Sequence, residues 1–365
     1  MKILHIIDSL TTGGAERLVS DLAPLQRARG NDVVVLALCG GNTPFRKILD
    51  DAGIRVFDFG ANANLYSPLN IFRIIPFLKK YDIVHAHLFP AQYWVALAKV
   101  FSFSKTPLVT TEHSTYNRRR DLAGARVFDR WIYRRYAKIF GISEKTTEAL
   151  KKHLGDENAP VFTVSNGADI EKIKRVNAVP RNEIVPETCA TFLMQVAGFR
   201  EAKDQDTVIR ALKILPGNVF VAFVGDGVRR AECERLATAL GVRERVRFLG
   251  VRADVPALLK AADIVVMSSR WEGFGLAAVE GMAAGKPTVA SNVPGLAEVV
   301  GGAGILFPSS DEKALAKEIL KLSGDRVFYE EIAARCSRRA NDFDIRKMSD
   351  AYCAAYEKTV KTINA

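Results

Sequence analysis

Glu272 and Glu280 stand eight positions apart in "RWEGFGLAAVEGMAAGKPTVAS", residues 270–291, on either side of a glycine-rich turn. Gly273 and Gly275 flank Phe274 and permit a tight turn whose backbone N–H groups point outward. "LAAVEGMAAG" then reads as a helix that begins at Leu276 and ends at Gly285, with Pro287 closing it. The first turn of such a helix has unpaired N–H donors and a positive dipole end, which together attract an anion. A carboxylate beside a bound phosphate is unfavourable unless hydroxyl donors occupy it, and a sugar diol supplies them. Glu280 lies roughly 7 Å along the helix at ~1.5 Å rise per residue, about one ribose beyond a phosphate. Glu272 falls on the loop side, where a sugar at the far end of a diphosphate would sit. The spacing suits a nucleotide sugar. One glutamate facing the dipole and another in solvent is the bland alternative. The glycine turn and the strand before it weigh against that.

Other residues invite chemistry and are judged by context. "GGAE" opens a helix after the first strand, where Gly13 and Gly14 let the backbone approach an anion. It lacks the third glycine of a dinucleotide fingerprint, as does "GDGVRR", where Arg230 stands instead. Asp204 and Asp206 form a D-x-D of the kind that elsewhere marks a metal-bound nucleotide. Here they follow Lys203 at a helix start, where acids complement the dipole. No metal or other cofactor is expected, because a helix terminus and basic side chains can stabilise a diphosphate alone. In "HAHLFPAQYW", His85 and His87 share one side of a strand end, with no third metal ligand nearby in sequence. His113, in "TTEHSTY", ends another strand.

The elements that must position these residues alternate regularly. Apolar runs at 2–8, 32–38, 54–58, 82–87, 107–111, 138–142 and 161–165 read as strands, with helical patterns between them, as at 15–29 and 90–100. The series restarts with strands at 190–197, 219–225, 245–249, 263–267 and 287–291. Continuous apolar strands separated by helices predict parallel sheets covered on both faces. The polar stretch at 165–189, with Pro180 and Pro186, reads as the linker. The expected domains are 1–165 and 166–345, with a final helix at 346–365 returning to the first. A chain of 365 residues, 48% apolar and 25% charged, fits this two-domain α/β reading. No stretch has the ~18 uninterrupted apolar residues of a spanning helix. "MKILHIIDSL" meets Asp8 too early for a signal peptide and reads as a strand. Five scattered cysteines suit neither a disulfide framework nor a zinc site, so a reducing cytoplasm is expected.

"SSRWEGFGLAAVEGMAAGKPTVASNVPGLAEVV" resembles the donor-site motif of glycosyltransferase family 4, retaining enzymes of GT-B architecture. The resemblance spans nearly the whole chain: "SLTTGGAER" (9–17), "SNGAD" (165–169), "FVGDGVRRAECERLA" (223–237) and "VRFLGVRADVPALLKAADIVVMSS" (246–269) match successive family segments. It implies two Rossmann-like parallel-sheet domains facing an interdomain cleft. It also implies that Glu272 holds donor-sugar hydroxyls near the reacting carbon and that Glu280 holds the ribose. Backbone at Gly273, Phe274, Gly275 and Leu276 would meet sugar and phosphate, as would Gly14 and Gly225, while Arg247 lies on the approach to the base. Lys203 matches a cation that neutralises the leaving diphosphate. The family's usual arginine is Gly198 here, and Arg200 is the nearby substitute. His87 is placed against the donor sugar, while His113, from its strand-end position, is a candidate for the acceptor side or for a sugar contact. The implied reaction transfers a hexosyl unit with retention from a nucleoside-diphosphate sugar. The resemblance does not fix the base, and uridine is expected ahead of guanosine.

Charge bears on the acceptor. Residues 1–165 carry 23 Lys/Arg against 15 Asp/Glu, which suggests an anionic partner. Much of the excess lies at 116–138, where Arg118, Arg119 and Arg120 cluster and Arg126, Arg130, Arg134 and Lys138 recur on one helical side. These arginines are expected to bind the pyrophosphate of a lipid-linked saccharide or an anionic membrane surface, placing the protein peripherally on the cytoplasmic face of the inner membrane. Three alternatives stay open. A glycoside hydrolase also pairs carboxylates, but it leaves the phosphate turn unexplained. A sugar-nucleotide epimerase shares the architecture. A basic nucleic-acid-binding protein fits the +11 charge, although no nucleic-acid motif is found.

Overall fold

The computed structural model describes all residues except 12, 116–119, 121–123 and 365. The elements in chain order are β1 (Lys2–Ile7), α1 (Gly14–Ala28), β2 (Asp32–Ala37), α2 (Pro44–Asp51), β3 (Arg55–Asp58), α3 (Asn70–Leu78), β4 (Ile83–His87), α4 (Ala91–Ser102), β5 (Leu108–Glu112), α5 (Ala125–Tyr133), β6 (Lys138–Gly141), α6 (Glu144–Leu154) and β7 (Val161–Thr163). They continue with α7 (Ile170–Arg175), β8 (Thr191–Val196), α8 (Gln205–Ile214), β9 (Val219–Val224), α9 (Arg230–Ala239), β10 (Val246–Phe248), α10 (Val255–Ala261), β11 (Ile264–Met267), α11 (Leu276–Ala283), β12 (Thr288–Ser291), α12 (Pro294–Val300), β13 (Ile305–Phe307), α13 (Glu312–Gly324), α14 (Arg326–Ala340) and α15 (Ile345–Asn364).

Two compact units result: residues 1–166 with 345–365, and residues 167–344. The first holds a parallel sheet in the order β3-β2-β1-β4-β5-β6-β7, the second one in the order β10-β9-β8-β11-β12-β13. In each, strand order reverses once, between β1 and β4 and between β8 and β11. Loops leaving adjacent strands there run in opposite directions and open a crevice at the carboxyl ends, where α/β sheets bind ligands. The loops after β1 and β4 carry Gly14 and lead on from His87; those after β8 and β11 carry Lys203 and Glu272.

Both faces of each sheet are covered, so the central strands are buried almost throughout, while the edge strands β3, β7, β10 and β13 are partly exposed. In the first unit, α1, α2 and α15 close one apolar core, and α3 to α6 close the other. Tyr352 and Tyr356 of α15 are fully buried there, so the last helix belongs to the first sheet.

Two readings of the sequence are corrected. The polar stretch at 165–189 is folded: it contains α7, buries Val185 and Cys189 against Phe192, and anchors Arg181 to Asp263 at 2.9 Å. Apolar residues spaced among prolines and charges escaped the pattern reading. The basic helix at 126–138 stops at Tyr133, and Lys138 starts strand β6, so the four-residue recurrence does not extend to it.

Candidate active site

In the second unit, the turn after β11 is built by close backbone approach. Gly275 has φ 100°, and a Cβ there would lie 2.6 Å from Leu296 Cδ2. Gly295, at the start of α12, leaves so little room that its Cβ would meet Glu272 O at 2.5 Å and the backbone of Gly273 and Phe274 at 2.8 Å. The Phe274 side chain is buried edge-to-face on Phe343, with ring centroids 5.3 Å apart, which fixes the turn from inside. Buried Ser291 donates to Ser269 O, and Ser269 donates to Glu272 Oε2 at 3.3 Å. Leu276 then opens α11, and half-buried Glu280 follows one turn on.

The loop after β8 meets this turn. Lys203 Nζ donates to Glu272 Oε2, and both side chains remain partly accessible. The Lys203 backbone is held by Gln195 Nε2 at 2.9 Å and Ser268 Oγ at 3.1 Å, so both sequence-predicted partners are brought together on rigid strand ends. Gly225 closes the neighbouring loop: its φ is 135°, and a Cβ would run into Ala197 O at 2.3 Å. Gly198 has its would-be Cβ 3.4 Å from Asp226 O, and Arg200 is exposed two residues on.

The D-x-D carboxylates diverge. Asp204, fully buried in a left-handed conformation with φ 45°, accepts from Thr207 Oγ1, Ser310 Oγ and Arg270 Nη2. Asp206 pairs with Arg229 at 2.9 Å. They hold the loop rather than face a common point.

Arg247 is a correction. Its Nε donates to Ile184 O at 3.0 Å, its Nη1 donates to Glu244 O at 2.8 Å, and its guanidinium lies over Phe220. Arg247 lies in β10 level with Ala222 of β9, and its guanidinium is spent on carbonyls.

In the first unit, His87 ends β4 fully buried. Gln26 Oε1 lies 2.7 Å from His5 Nε2, and a carbonyl only accepts, so that nitrogen carries the proton. His5 Nδ1 therefore accepts from His87 Nε2–H at 3.0 Å. His87 Nδ1 is left as an acceptor, buried and without a partner among the described residues. Burial, and then the neighbouring imidazoles, hold His87 well below its ordinary range, so it is neutral. His85 is tied between Tyr356 OH and Thr111 Oγ1. The ring nitrogens of His5, His85 and His87 lie within 4.8 Å of one another. A cation there would have to break these bonds, and no carboxylate belongs to the group to offset its charge. The cluster serves as a hydrogen-bond relay. Its members come from β1, β4, α1 and α15, and no local pattern joins them.

In the sequence, Asp8 shows only as a break in an apolar run. It is buried at the end of β1, accepts from Ala91 N–H at 2.9 Å, and is pushed up to about 7 by burial, with nearby Glu16 adding to the effect. An acid closing the first strand at the sheet's carboxyl end was the available signal. Gly14 opens α1 exposed, with nothing within 4 Å of a Cβ, whereas Gly13 has the Glu16 carboxylate folded over it. His113 is partly buried beside His87, with ring centroids 5.8 Å apart.

Arg120 also departs from the expected role of binding an acceptor. Its side chain is 8% exposed and pairs with equally buried Glu112 at 3.1 Å, while Tyr133 OH donates to the same carboxylate at 2.7 Å. It braces the end of β5 and does not offer itself to an outside anion. Arg118 and Arg119 lie outside the described residues.

Sheets of this order with tight glycine turns at their switch points define a pair of Rossmann-like units. The chain matches the family model Glycosyltransferase Family 4 over residues 12–172 and Glycosyl transferases group 1 over residues 181–343. It belongs to the family 4 glycosyltransferases, with the GT-B fold. It is similar to the solved structure of Anabaena Alr3699/HepE in complex with UDP-glucose, at 25% identity and TM-score 0.85, covering 98% of this chain and 100% of that one. The glycogen synthase of Mycobacterium tuberculosis is 28% identical over 94% of this chain and 91% of its own length. An Escherichia coli UDP-Gal:alpha-D-GlcNAc-diphosphoundecaprenol alpha-1,3-galactosyltransferase is 23% identical over 96% and 95%. The chain is thus a glycosyltransferase that uses a nucleotide sugar.

Proposed function

We propose that the chain transfers a hexosyl unit, with retention of anomeric configuration, from a UDP-sugar to a hydroxyl of a saccharide, without a metal ion. The observation that carries this reading is the Lys203–Glu272 pair beside the first turn of α11. A cation for the leaving diphosphate and a carboxylate for the sugar hydroxyls stand within contact of each other. The helix start adds N–H donors to the phosphate. On donor binding, the diphosphate takes over Lys203 and frees Glu272 for the sugar.

Arg200 joins Lys203 in place of the arginine absent at Gly198, and Glu280 holds the ribose. His87 accepts a hydrogen bond from a sugar hydroxyl at Nδ1, and His113 serves the acceptor side. The acceptor oxygen attacks the anomeric carbon on the face that the diphosphate leaves. Its proton passes to a diphosphate oxygen as the carbon–phosphate-oxygen bond breaks. Catalysis then rests on positioning and charge stabilisation. The preference for uridine draws on the UDP-glucose bound to the Anabaena protein, and a lipid-linked saccharide acceptor draws on the galactosyltransferase's name.

The test offers UDP- and GDP-sugars with saccharide and lipid-diphosphate saccharide acceptors, in EDTA. Free UDP that appears only with acceptor, and a product of the donor's anomeric configuration, is the expected result. Inverted product, or a requirement for Mg²⁺ or Mn²⁺, overturns the mechanism. Nucleotide release without acceptor marks a hydrolase, and an isomerised donor marks an epimerase.

A further inference from the structure

Among the described residues, the first unit carries an apolar, basic face that its fold leaves uncovered. Helices α3, α4 and α5 lie on the same side of the sheet, packed over a common core, with α4 touching both neighbours. Their inward residues fill that core, but a second set of large apolar side chains points outward. On α3 and its approach, Leu69 is 67% and Phe72 60% exposed; on α4 and its cap, Phe101 is 56% and Phe103 90% exposed. Phe72 and Phe101 meet across the two helices, with ring centroids 6.1 Å apart. On α5, exposed Phe128 and Trp131 stack at 6.1 Å, and Tyr93 of α4 contacts Phe128 at 5.4 Å. Phe103 also sits at φ 49°, a left-handed conformation uncommon for a bulky residue. Scattered exposed apolar residues need no explanation, but clustered aromatic ones on adjacent helices mark an interaction surface.

On the α3 and α4 part of this face the charges have one sign. Residues 68–81 and 88–111 hold Arg73, Lys79, Lys80, Lys99 and Lys105 and no acidic residue. Around α5, Arg126 and Arg134 are exposed. The acid of that helix, Asp129, is buried and bonded to Tyr93 OH and to His153 Nε2. Aromatic side chains rimmed by Lys and Arg complement an anionic bilayer: rings enter the headgroup boundary, and cations meet phosphates. A protein partner of acidic surface would match the cations but leave the phenylalanine ridge in water.

We infer that the α3–α4–α5 face docks on an anionic lipid bilayer, with Phe72, Phe101 and Phe103 inserted at the interface and the surrounding Lys and Arg on the headgroups. The contact differs from the arginine cluster at 118–120, since Arg120 is buried on Glu112. It is also independent of the reaction assigned above.

The experiment sediments the full chain with vesicles of phosphatidylcholine alone and of phosphatidylcholine with phosphatidylglycerol, at low and high salt. The wild type should sediment with the anionic vesicles and not the neutral ones, and less at high salt. A Phe72→Ser/Phe101→Ser/Phe103→Ser variant should bind anionic vesicles about tenfold more weakly, with unchanged thermal midpoint and unchanged transfer to a soluble acceptor. Emission of a Phe103→Trp variant should shift to the blue on anionic vesicles by more than the wild type's. Absence of anionic binding, or a triple variant that binds like the wild type, overturns the proposal. So does sedimentation equilibrium showing a dimer that the triple variant dissociates, because the face would then be covered by a second copy.

Discussion

Lys203 Nζ donates to the carboxylate of Glu272 across the loops that leave β8 and β11, and Ser269 Oγ donates to the same oxygen. The pair keeps a cation and an anion partly exposed at the carboxyl end of a sheet, each with a ligand group to exchange for the other. Glu272→Gln keeps the shape and removes the charge that, in the proposed reaction, holds sugar hydroxyls. Transfer should nearly vanish while UDP affinity stays close to wild type by calorimetry. Glu280→Ala should instead weaken UDP binding by about 1–3 kcal/mol, the range for hydrogen bonds to a charged group. Wild-type turnover in Glu272→Gln contradicts the assignment.

Lys203→Ala removes the cation that, in the proposed reaction, meets charge developing on the diphosphate. A loss of about a hundredfold in kcat/KM is expected, the scale for deleting one group that stabilises a transition-state anion. Steady-state kinetics with the donor varied, with and without EDTA, measures it. A change confined to protein stability means that the ion pair is structural only.

Gln26 acts on His87 through His5. Gln26→Leu removes the carbonyl that fixes the His5 proton, so His87 no longer holds a single tautomer. The expected cost is about 1 kcal/mol, roughly fivefold in kcat/KM. Nitrogen chemical shifts should report His87 protonated at Nε2 in the wild type and a mixture in the variant. An unchanged tautomer alongside lower activity would assign Gln26 to packing alone.

Asp8 makes stability depend on pH. Its folded value is raised by burial to about 7 from 3.8, so the folded chain holds a proton that the unfolded chain releases. The contribution is present below about pH 4 and lost as pH rises to about 7. Asp8→Asn keeps an acceptor for Ala91 N–H and removes the titration. Between about pH 5 and about pH 8, the variant should gain roughly 3 kcal/mol on the wild type in denaturant unfolding. Parallel profiles contradict a raised carboxyl. His5 pulls the other way: its folded value falls to about 4 from 6.5 through burial, so its contribution is present above about pH 6.5 and lost as pH falls.

The sequence by itself determined what is local or periodic. Continuous apolar runs between helical patterns announce two parallel sheets, and the glycine turn before "LAAVEG" announces a helix start with Glu272 and Glu280 around it, because turn and cap residues act within a few positions. Tertiary structure decided everything that depends on which segments become neighbours. His5, Gln26, His85 and Tyr356 meet across as many as 271 positions, Gly295 is small because the Glu272 turn rests on it, and Arg247 and Arg120 are drawn to carbonyls and a buried carboxylate. A charged side chain in sequence carries no sign of its partner. Burial makes an unpaired charge costly, so the fold settles which of its arginines are braces and which remain for a ligand.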